Sequence, residues 1–241
     1  SIDKFNLSGK SAKRWLSLVL PGTLLIALLI IWEISVHLSG IEKWLLPSPS
    51  LILKSLWETK KLIWHHSLQT LYEAFLGLVL AVLIGVLLAI LIDLSTRIRQ
   101  AVYPLLVVSQ TIPIIAVAPL LMIWFGYGMT TKILVVALVC FFPIAVNLAD
   151  GFRLVDPEMI RLLASMGASK GQIFRMVKLP AALPFFFSGM RIAGTYSVMG
   201  AVIGEWLGAS RGLGIFITRS SQSFLTDRVF ASILVIIFLS L

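Results

Sequence analysis

Charged side chains lie inside or at the margins of several long apolar runs. Arg191 and Glu205 lie within one run, and three others lie near the ends of further runs, namely Glu33, Glu73 and Asp93. An ionised group inside a bilayer is costly and usually faces a cavity or a partner, whereas a long side chain near a span end can reach the interface. For each residue a transport role and a structural role are both open. Asn147 is expected to hydrogen-bond between helices.

The sequence contains no grouping of residues typical of an enzyme or a metal site. His37, His65 and His66 lie at apolar margins without a nucleophile or a ligand set around them. On a helix, two adjacent histidines point about 100° apart, which suits no metal ion. The single cysteine, Cys140, cannot form an intrachain disulfide. We therefore predict that the chain is not an enzyme, has no catalytic residues and binds no metal.

The third apolar run is interrupted by prolines. Gln110, Thr111 and Pro113 lie near its middle, and Pro119 follows. A proline in a membrane helix frees a backbone carbonyl, which must be satisfied by protein or by water in a cavity. One interpretation is a broken helix that lines a pathway, with Gln110 and Thr111 facing the substrate. The other is an ordinary kinked helix, and the sequence leaves both open.

Glycines recur every fourth residue near the end of the fifth run, at 200, 204, 208 and 212. Such a stripe lets a second helix approach closely. We expect Gly200 and Gly204 to form a helix interface, while Gly208 and Gly212 lie beyond the membrane. The full set of candidate pathway residues is Gln110, Thr111, Pro113, Met199, Gly200 and Glu205.

Residues 156–180 form a charged, turn-rich segment between two apolar runs. Asp156 is a good helix N-cap and Pro157 suits the first helical position. Gly167 lies where the helix end requires a residue tolerant of positive φ. The segment therefore predicts a short helix over residues 157–166, followed by a turn.

A second short helix is predicted after that turn. Ser169 and Gln172 match a capping box, and Pro180 is expected to end the helix. The first helix has an apolar face with 3, 4 and 7 spacing, made of Met159, Leu162, Leu163 and Met166. The hairpin is either a solvated loop or a docking element that offers a partner a rigid helix.

The composition excludes a water-soluble core. The 241 residues are 59% hydrophobic and 13% charged, with a mean hydropathy of +0.99, whereas soluble domains carry about 25% charged residues. The net charge of +9 lies in short segments between apolar runs. Orientation in a bilayer requires such basic segments, so we predict contact with membrane lipid and no nucleic-acid partner.

Six apolar runs predict an all-α, polytopic membrane protein with a single transmembrane domain over residues 15–241, after a polar cytoplasmic tail at 1–14. Runs of this kind are long enough to cross a core of roughly 30 Å. The first lacks a cleavage site and is expected to remain a span, and the last is expected to be cut short at Leu241. The predicted spans are 15–37, 68–94, 102–125, 132–148, 183–207 and 229–241.

Two further features concern the surface of the membrane. Residues 52–64 predict an amphipathic helix, either in the interface with Trp57 and Trp64 at headgroup depth or packed on the bundle. Basic residues number 11 in the inner segments and 8 in the outer segments if the N-terminus is inside, with Lys132 counted among the outer ones. The N-terminus is therefore expected inside, which places the charged hairpin in the cytoplasm.

The hairpin resembles the cytoplasmic EAA loop of ABC-importer permeases. In that loop E-A-A, three residues, glycine and nine residues precede I-x-L-P; here Gly167 is followed by nine residues and then by Val177, Leu179 and Pro180. The chain departs from the pattern with Arg-Leu-Leu at 161–163 and with valine for isoleucine. Further matching stretches follow in order, including Leu46-Pro47-Ser48-Pro49, Trp124-Phe125-Gly126, Asp156-Pro157-Glu158, Leu179-Pro180-Ala181-Ala182-Leu183-Pro184 and Gly204-Glu205-Trp206-Leu207-Gly208.

Together these residues resemble the permease family that imports nitrate, sulfonates, taurine and thiamine-precursor pyrimidines. The sequence Glu-Trp-Leu-Gly at 205–208 is closer to the pyrimidine-precursor branch than to the sulfonate branch. The resemblance implies a six-span subunit of the bacterial inner membrane that pairs with a second copy of itself. It also implies two cytoplasmic ABC ATPases, which bind ATP and Mg, and an extracytoplasmic solute-binding protein. No cofactor is expected on this chain. The implied coupling residues are Glu158, Arg161, Leu162, Ala164, Met166, Gly167, Ala168 and Ser169.

Two other functions are compatible with a polytopic membrane protein. A secondary transporter needs coupling-ion residues on paired broken helices, but only the third run is clearly broken and no second half mirrors it. A membrane scaffold without a pathway would have no need of a docking hairpin. The importer permease is therefore the preferred interpretation, and the secondary transporter is the alternative.

Overall fold

The computed structural model describes the backbone from Asp3 and the side chains from Val19 to Leu241. In this part of the chain all regular elements are helical, which confirms the predicted all-α class. The tail predicted over residues 1–14 lies outside the residues described in full and stays a prediction. The helices are α1 (Asp3–Ser39), α2 (Pro49–Leu94), α3 (Thr96–Ser109), α4 (Ile114–Phe125), α5 (Met129–Arg153), α6 (Pro157–Ser165), α7 (Lys170–Ile173), α8 (Leu179–Trp206), α9 (Leu213–Gln222) and α10 (Thr226–Ser240), with a π-helical turn at Phe174–Lys178.

Four of the described segments are long and apolar enough to cross a membrane: Val19–Ser39, Pro49–Leu94, Met129–Arg153 and Lys170–Trp206. The pair α3 and α4 makes a fifth if a bend of 99° is allowed within one span. The polytopic membrane class is therefore confirmed, with four or five such spans in the described chain. Helix α10 covers the sixth predicted run with 15 residues.

The chain divides into two units, Ser1–Lys60 with Ser220–Ala231 and Lys61–Arg219 with Ser232–Leu241. In the smaller unit, the Glu33 carboxylate accepts hydrogen bonds from the Ser50 amide at 2.9 Å and from its hydroxyl at 2.6 Å. The Trp44 ring packs edge-on against Phe224, with ring centroids 5.8 Å apart. These contacts join α1, the start of α2 and the segment before α10.

In the larger unit, α2, α5 and α8 form the core. Helices α5 and α8 are antiparallel, because Gly200 packs on Val136 while Gly189 packs on Pro143. Alanines occupy many of the contact positions in the buried cluster, including Ala74, Ala81, Ala193 and Ala201. Small side chains let membrane helices approach closely, so the backbones of the helices in this core pack in close contact.

The surface helix predicted over residues 52–64 and the span predicted from residue 68 form one continuous helix, α2. The predicted separation is therefore wrong. The physical reason is local, because no proline follows Pro49 within the helix and its first glycine is Gly77. Without a helix breaker, the polar first part and the apolar second part share one set of backbone hydrogen bonds.

Pro180 does not end the second helix of the hairpin, which corrects the prediction. The helical path runs from Lys170 to Trp206 and passes through the π-helical turn at Phe174–Lys178. In this turn the Leu179 amide donates to the carbonyl of Phe174, five residues back. The shifted hydrogen-bond register precedes Pro180, which has no amide hydrogen to donate, and the helix continues as α8.

Candidate functional site

The third predicted span is broken between α3 and α4, and the two helices are bent by 99°. The Thr111 amide closes a turn on the Val108 carbonyl at 3.0 Å, and Pro113 is the N-cap residue of α4. A fixed φ and a missing amide suit proline at this position. The broken-helix interpretation is therefore confirmed for the backbone, and an ordinary kinked helix is excluded.

A cavity of about 650 Å³ lies beside this break. Three of the six candidate pathway residues, Gln110, Pro113 and Met199, are among the residues that line it. The Thr111 hydroxyl instead donates to the Val108 carbonyl at 2.7 Å, and Thr111 is not part of the lining. The structure thus brings the proline break and the middle of α8 together around one space.

The cavity wall is uncharged. Its sixteen lining residues include the amide side chains of Gln110 and Asn147 and the ring of Tyr196, together with Phe141 and Phe142, and none is ionisable at neutral pH. Such a wall offers hydrogen-bond donors, acceptors and aromatic faces to a ligand.

Asn147 and Tyr196 were not predicted as pathway residues. The Asn147 side-chain amide donates to the Pro143 carbonyl of its own helix at 2.7 Å, rather than between helices as expected. Tyr196 lies four residues after Ile192 and three before Met199, so these lining residues share one face of α8. That spacing was the available signal in the sequence.

Gly200 and Gly204 pack α8 against α5, as predicted. A Cβ atom added at Gly200 would lie 3.2 Å from the Val136 Cα, and one at Gly204 would lie 3.2 Å from the Lys132 Cα. These distances are tighter than ordinary contacts with a real side chain. Gly200 therefore lies in a helix interface and is not among the residues that line the cavity.

Glu205 is fully buried, so its side chain does not reach the membrane interface. The Thr70 hydroxyl donates to Glu205 Oε1 at 2.6 Å, and the Gly214 amide donates to Oε2 at 2.5 Å. The carboxylate thus joins α2, α8 and the start of α9. It is not part of the cavity lining.

Lys132 is also buried, which corrects its expected place among the charges of an outer loop. Its Nζ atom lies 2.7 Å from Glu73 Oε1, and the exposed fractions of the two side chains are 11% and 0%. The Gln69 side-chain amide donates to the same oxygen at 2.7 Å. Glu73 therefore has a structural partner on α5 and does not lie at a span end facing water.

The predicted hairpin has the predicted caps. The Asp156 carboxylate accepts from the Glu158 amide at 2.8 Å, and Gly167 has φ of +85°. The Ser169 amide donates to the Gln172 side chain at 2.8 Å, and the Gln172 amide donates back to the Ser169 hydroxyl at 3.3 Å. The hairpin thus has two capped helices and a defined turn.

The apolar face of α6 is exposed. Leu162 and Met166 are 61% and 74% exposed, Met159 is exposed, and Leu163 is half-buried. All the predicted coupling residues lie at the surface except Ala168, which is half-buried; the exposed ones are Glu158, Arg161, Leu162, Ala164, Met166, Gly167 and Ser169. Helix α6 is capped at its N-terminus but none of its residues is buried, so packing on its own chain stabilises it little. An exposed apolar face of this kind is the property expected of a docking helix.

The base of the hairpin is anchored to the core. Ile173 is buried, and the Phe174 ring packs on Phe152 with centroids 5.3 Å apart. In the π-helical turn, Lys178 Nζ lies 2.7 Å and 2.8 Å from the two carboxylate oxygens of Asp93 at the end of α2. The second helix of the hairpin is therefore joined to α8 by the continuous helical path from Lys170 and to α2 by this ion pair.

Comparison with known proteins gives concordant results. Residues 81–241 match the family model of the binding-protein-dependent transport system inner membrane component. The formylaminopyrimidine transport permease protein ThiX of Halalkalibacterium halodurans is 41% identical over 225 residues, which cover 93% of this chain and 90% of that protein.

Other relatives carry different solutes in their names. The riboflavin transport system permease protein RibX of Chloroflexus aurantiacus is 38% identical, and the match covers 91% of this chain and 82% of that protein. The taurine transport system permease protein TauC of Escherichia coli is 34% identical, and the match covers 89% of this chain and 80% of that protein. A crystal structure of an amino acid ABC transporter with histidines has a TM-score of 0.62 at 19% identity, covering 77% of this chain and 89% of that one. At that identity the likeness concerns the fold alone.

Proposed function

The chain belongs to the family of binding-protein-dependent transport system inner membrane components, and from this premise we propose that its uncharged cavity passes a small neutral heteroaromatic solute while α6 docks on an ATPase. The protein is the membrane-spanning permease subunit of an ABC importer. It is a transport subunit of the inner membrane, and its family works with ATPase and binding-protein partners.

The composition of the cavity wall carries the proposal on the solute. The sulfonate group of a solute such as taurine would call for a cationic side chain or a set of aimed amides, but the lining residues are uncharged. A pyrimidine offers ring nitrogens and amino groups that match the amides of Gln110 and Asn147, and a flat face that can stack on Tyr196. The name of the formylaminopyrimidine relative agrees with this chemistry.

The proposed direction of coupling starts at α6. Its exposed apolar residues Leu162 and Met166 would fill a groove of a cytoplasmic ATPase, on which ATP and Mg are bound and hydrolysed. The basic residues of the hairpin favour a cytoplasmic location, with the N-terminus on the same side. A second, identical copy of the chain would complete the pathway, and an extracytoplasmic binding protein would select and deliver the solute.

Uptake by the reconstituted complex tests the proposal on the solute. We expect proteoliposomes that carry the chain and its ATPase, with the binding protein added outside, to accumulate radiolabelled formylaminopyrimidine only with ATP inside. Tyr196→Leu is expected to raise KM, whereas Phe187→Leu, which removes an exposed aromatic ring of α8 outside the cavity, is expected to leave it unchanged.

Two results would contradict the proposal. If the proteoliposomes accumulated taurine and not the pyrimidine, the uncharged cavity wall would not indicate the class of solute. If the chain alone accumulated solute under an ion gradient without ATP, the secondary-transporter alternative would replace the importer.

A further inference from the structure

The N-terminus of α9 is buried, and its first amides are bound by side chains of other helices. The Gly212 amide donates to His66 Nδ1 at 3.0 Å, the Leu213 amide to the Thr70 hydroxyl at 2.9 Å and the Gly214 amide to Glu205 Oε2 at 2.5 Å. The first amides of a helix have no partner within it, so inside a membrane protein they need partners from elsewhere. Here α2 and α8 supply those partners.

Glu205 is the acidic member of this group and belongs to the last turn of α8. A carboxylate at a helix N-terminus is favoured by the helix dipole and by the unpaired amides. Because Thr70 also donates to Glu205, the side chain is held from two sides and is fully buried.

The backbone between the two helices is shaped around this carboxylate. Gly212 has φ of +128°, and a Cβ atom there would lie 2.1 Å from Glu205 Cδ. A Cβ atom at Gly214 would lie 2.4 Å from the Val202 carbonyl oxygen. Only glycine permits so close an approach, so the glycines at 212 and 214 and the acid at 205 form one fitted connection.

We propose that Glu205 is a positioning residue that fastens the start of α9 to the end of α8, so that the two helices move as one body. The proposal rests on the proposed coupling role of α6. Helix α8 begins directly after the π-helical turn that anchors the hairpin, and its 28 residues extend about 42 Å at 1.5 Å per residue. A displacement received at its first turn would therefore be carried to α9 at its far end.

The distance between spin labels on α8 and α9 tests this attachment. Labels are placed at the exposed positions Thr195→Cys and Arg219→Cys in a Cys140→Ala background, in complexes diluted with unlabelled copies, with and without ATP and vanadate. We expect one narrow distance that is the same in both states. Glu205→Ala is expected to broaden it, and Thr70→Val, which removes the second support of the same carboxylate, is expected to do the same.

Ser197→Ala is the matched control, because this buried α8 hydroxyl bonds only to the Gly194 carbonyl of its own helix. Its distance is expected to equal that of the parent. Parent-like narrow distances in both Glu205→Ala and Thr70→Val would overturn the proposal.

A functional measurement separates fastening from folding. In proteoliposomes, the ratio of imported radiolabelled formylaminopyrimidine to hydrolysed ATP is expected to fall about tenfold in Glu205→Ala, since an unpaired buried amide favours detached conformations by roughly that factor. A variant that merely folds poorly would lose uptake and hydrolysis together, and an unchanged ratio would overturn the proposal. If the parent itself recruits no ATPase, the proposed function fails, while the label distances still decide on the attachment.

Discussion

The ion pair between Lys132 and Glu73 gives a quantitative prediction about stability. Lys132 Nζ lies 2.7 Å from Glu73 Oε1, and little or none of either side chain is exposed. Lys132→Met keeps an unbranched chain of similar volume beside Gly204, where space is tight, but removes the positive charge. The variant therefore leaves the Glu73 carboxylate buried without its counter-ion.

The expected magnitude follows from burial. Removing one partner of a buried ion pair costs about 3–5 kcal/mol, whereas replacing both partners by neutral groups of similar volume is close to neutral. We expect Lys132→Met to lower the free energy of unfolding by about 3–5 kcal/mol, and the double variant Glu73→Gln with Lys132→Met to recover most of this loss. The Gln69 amide, which now donates to Glu73, could also donate to the oxygen of a glutamine.

Reversible unfolding of the purified protein in mixed micelles measures these free energies. The control is Lys54→Met, because the Lys54–Glu58 pair is 3.9 Å apart and largely exposed, so its loss should cost at most about 1 kcal/mol. If Lys132→Met cost no more than Lys54→Met, or if the double variant were as unstable as the single one, the buried pair would not have the assigned role.

Three further predictions concern coupling and transport. Gly167→Val places a β-branched residue at φ of +85°, so uptake should fall at least severalfold because strain of about 1–2 kcal/mol redirects α6. The control Gly171→Ala, in open space at an ordinary helical position, should have no such effect. Equal uptake by both variants would contradict the coupling role. Pro113→Ala restores an amide at the α3–α4 break and should reduce initial uptake rates more than membrane expression measured by immunoblot; an equal loss of both would make the break purely structural. Lys178→Met removes the contact with Asp93 and should preserve ATPase recovery in a pull-down while lowering uptake per ATP hydrolysed, whereas an unchanged ratio would exclude this ion pair from the coupling path.

Local chemistry explains most of what the sequence predicted correctly. The caps at Asp156 and Ser169 and the positive φ at Gly167 depend on residues within three or four positions of one another. The same holds for the break at Pro113, because its cause is the missing amide of that residue. The close approach at Gly200 also follows from a property of the residue itself, the absence of a side chain.

Longer-range pairing explains what the sequence did not predict. Lys132 is 59 residues from Glu73 in the chain, and Thr70 is 135 residues from Glu205. Nothing local distinguishes a charge that is buried with such a partner from one that lies in a loop, so the sequence alone predicts Lys132 to be a loop residue. The helix that continues through Pro180 is a related case, since Lys178 in the π-helical turn before it pairs with Asp93, 85 residues away in the chain.

Co-purification with an ATPase tests the central claim, that α6 is the docking element of an importer permease. The chain is co-expressed with the products of its neighbouring genes, purified in mild detergent and analysed by mass spectrometry. Leu162→Asp places a charge on the exposed face of α6, and Leu154→Asp does so at a similarly exposed residue that precedes the hairpin helix.

We predict that a nucleotide-hydrolysing subunit accompanies the parent chain and Leu154→Asp, and that it is lost with Leu162→Asp. Equal recovery of that subunit with both variants would place the docking surface elsewhere. A parent chain that purifies without any nucleotide-hydrolysing subunit would contradict the account.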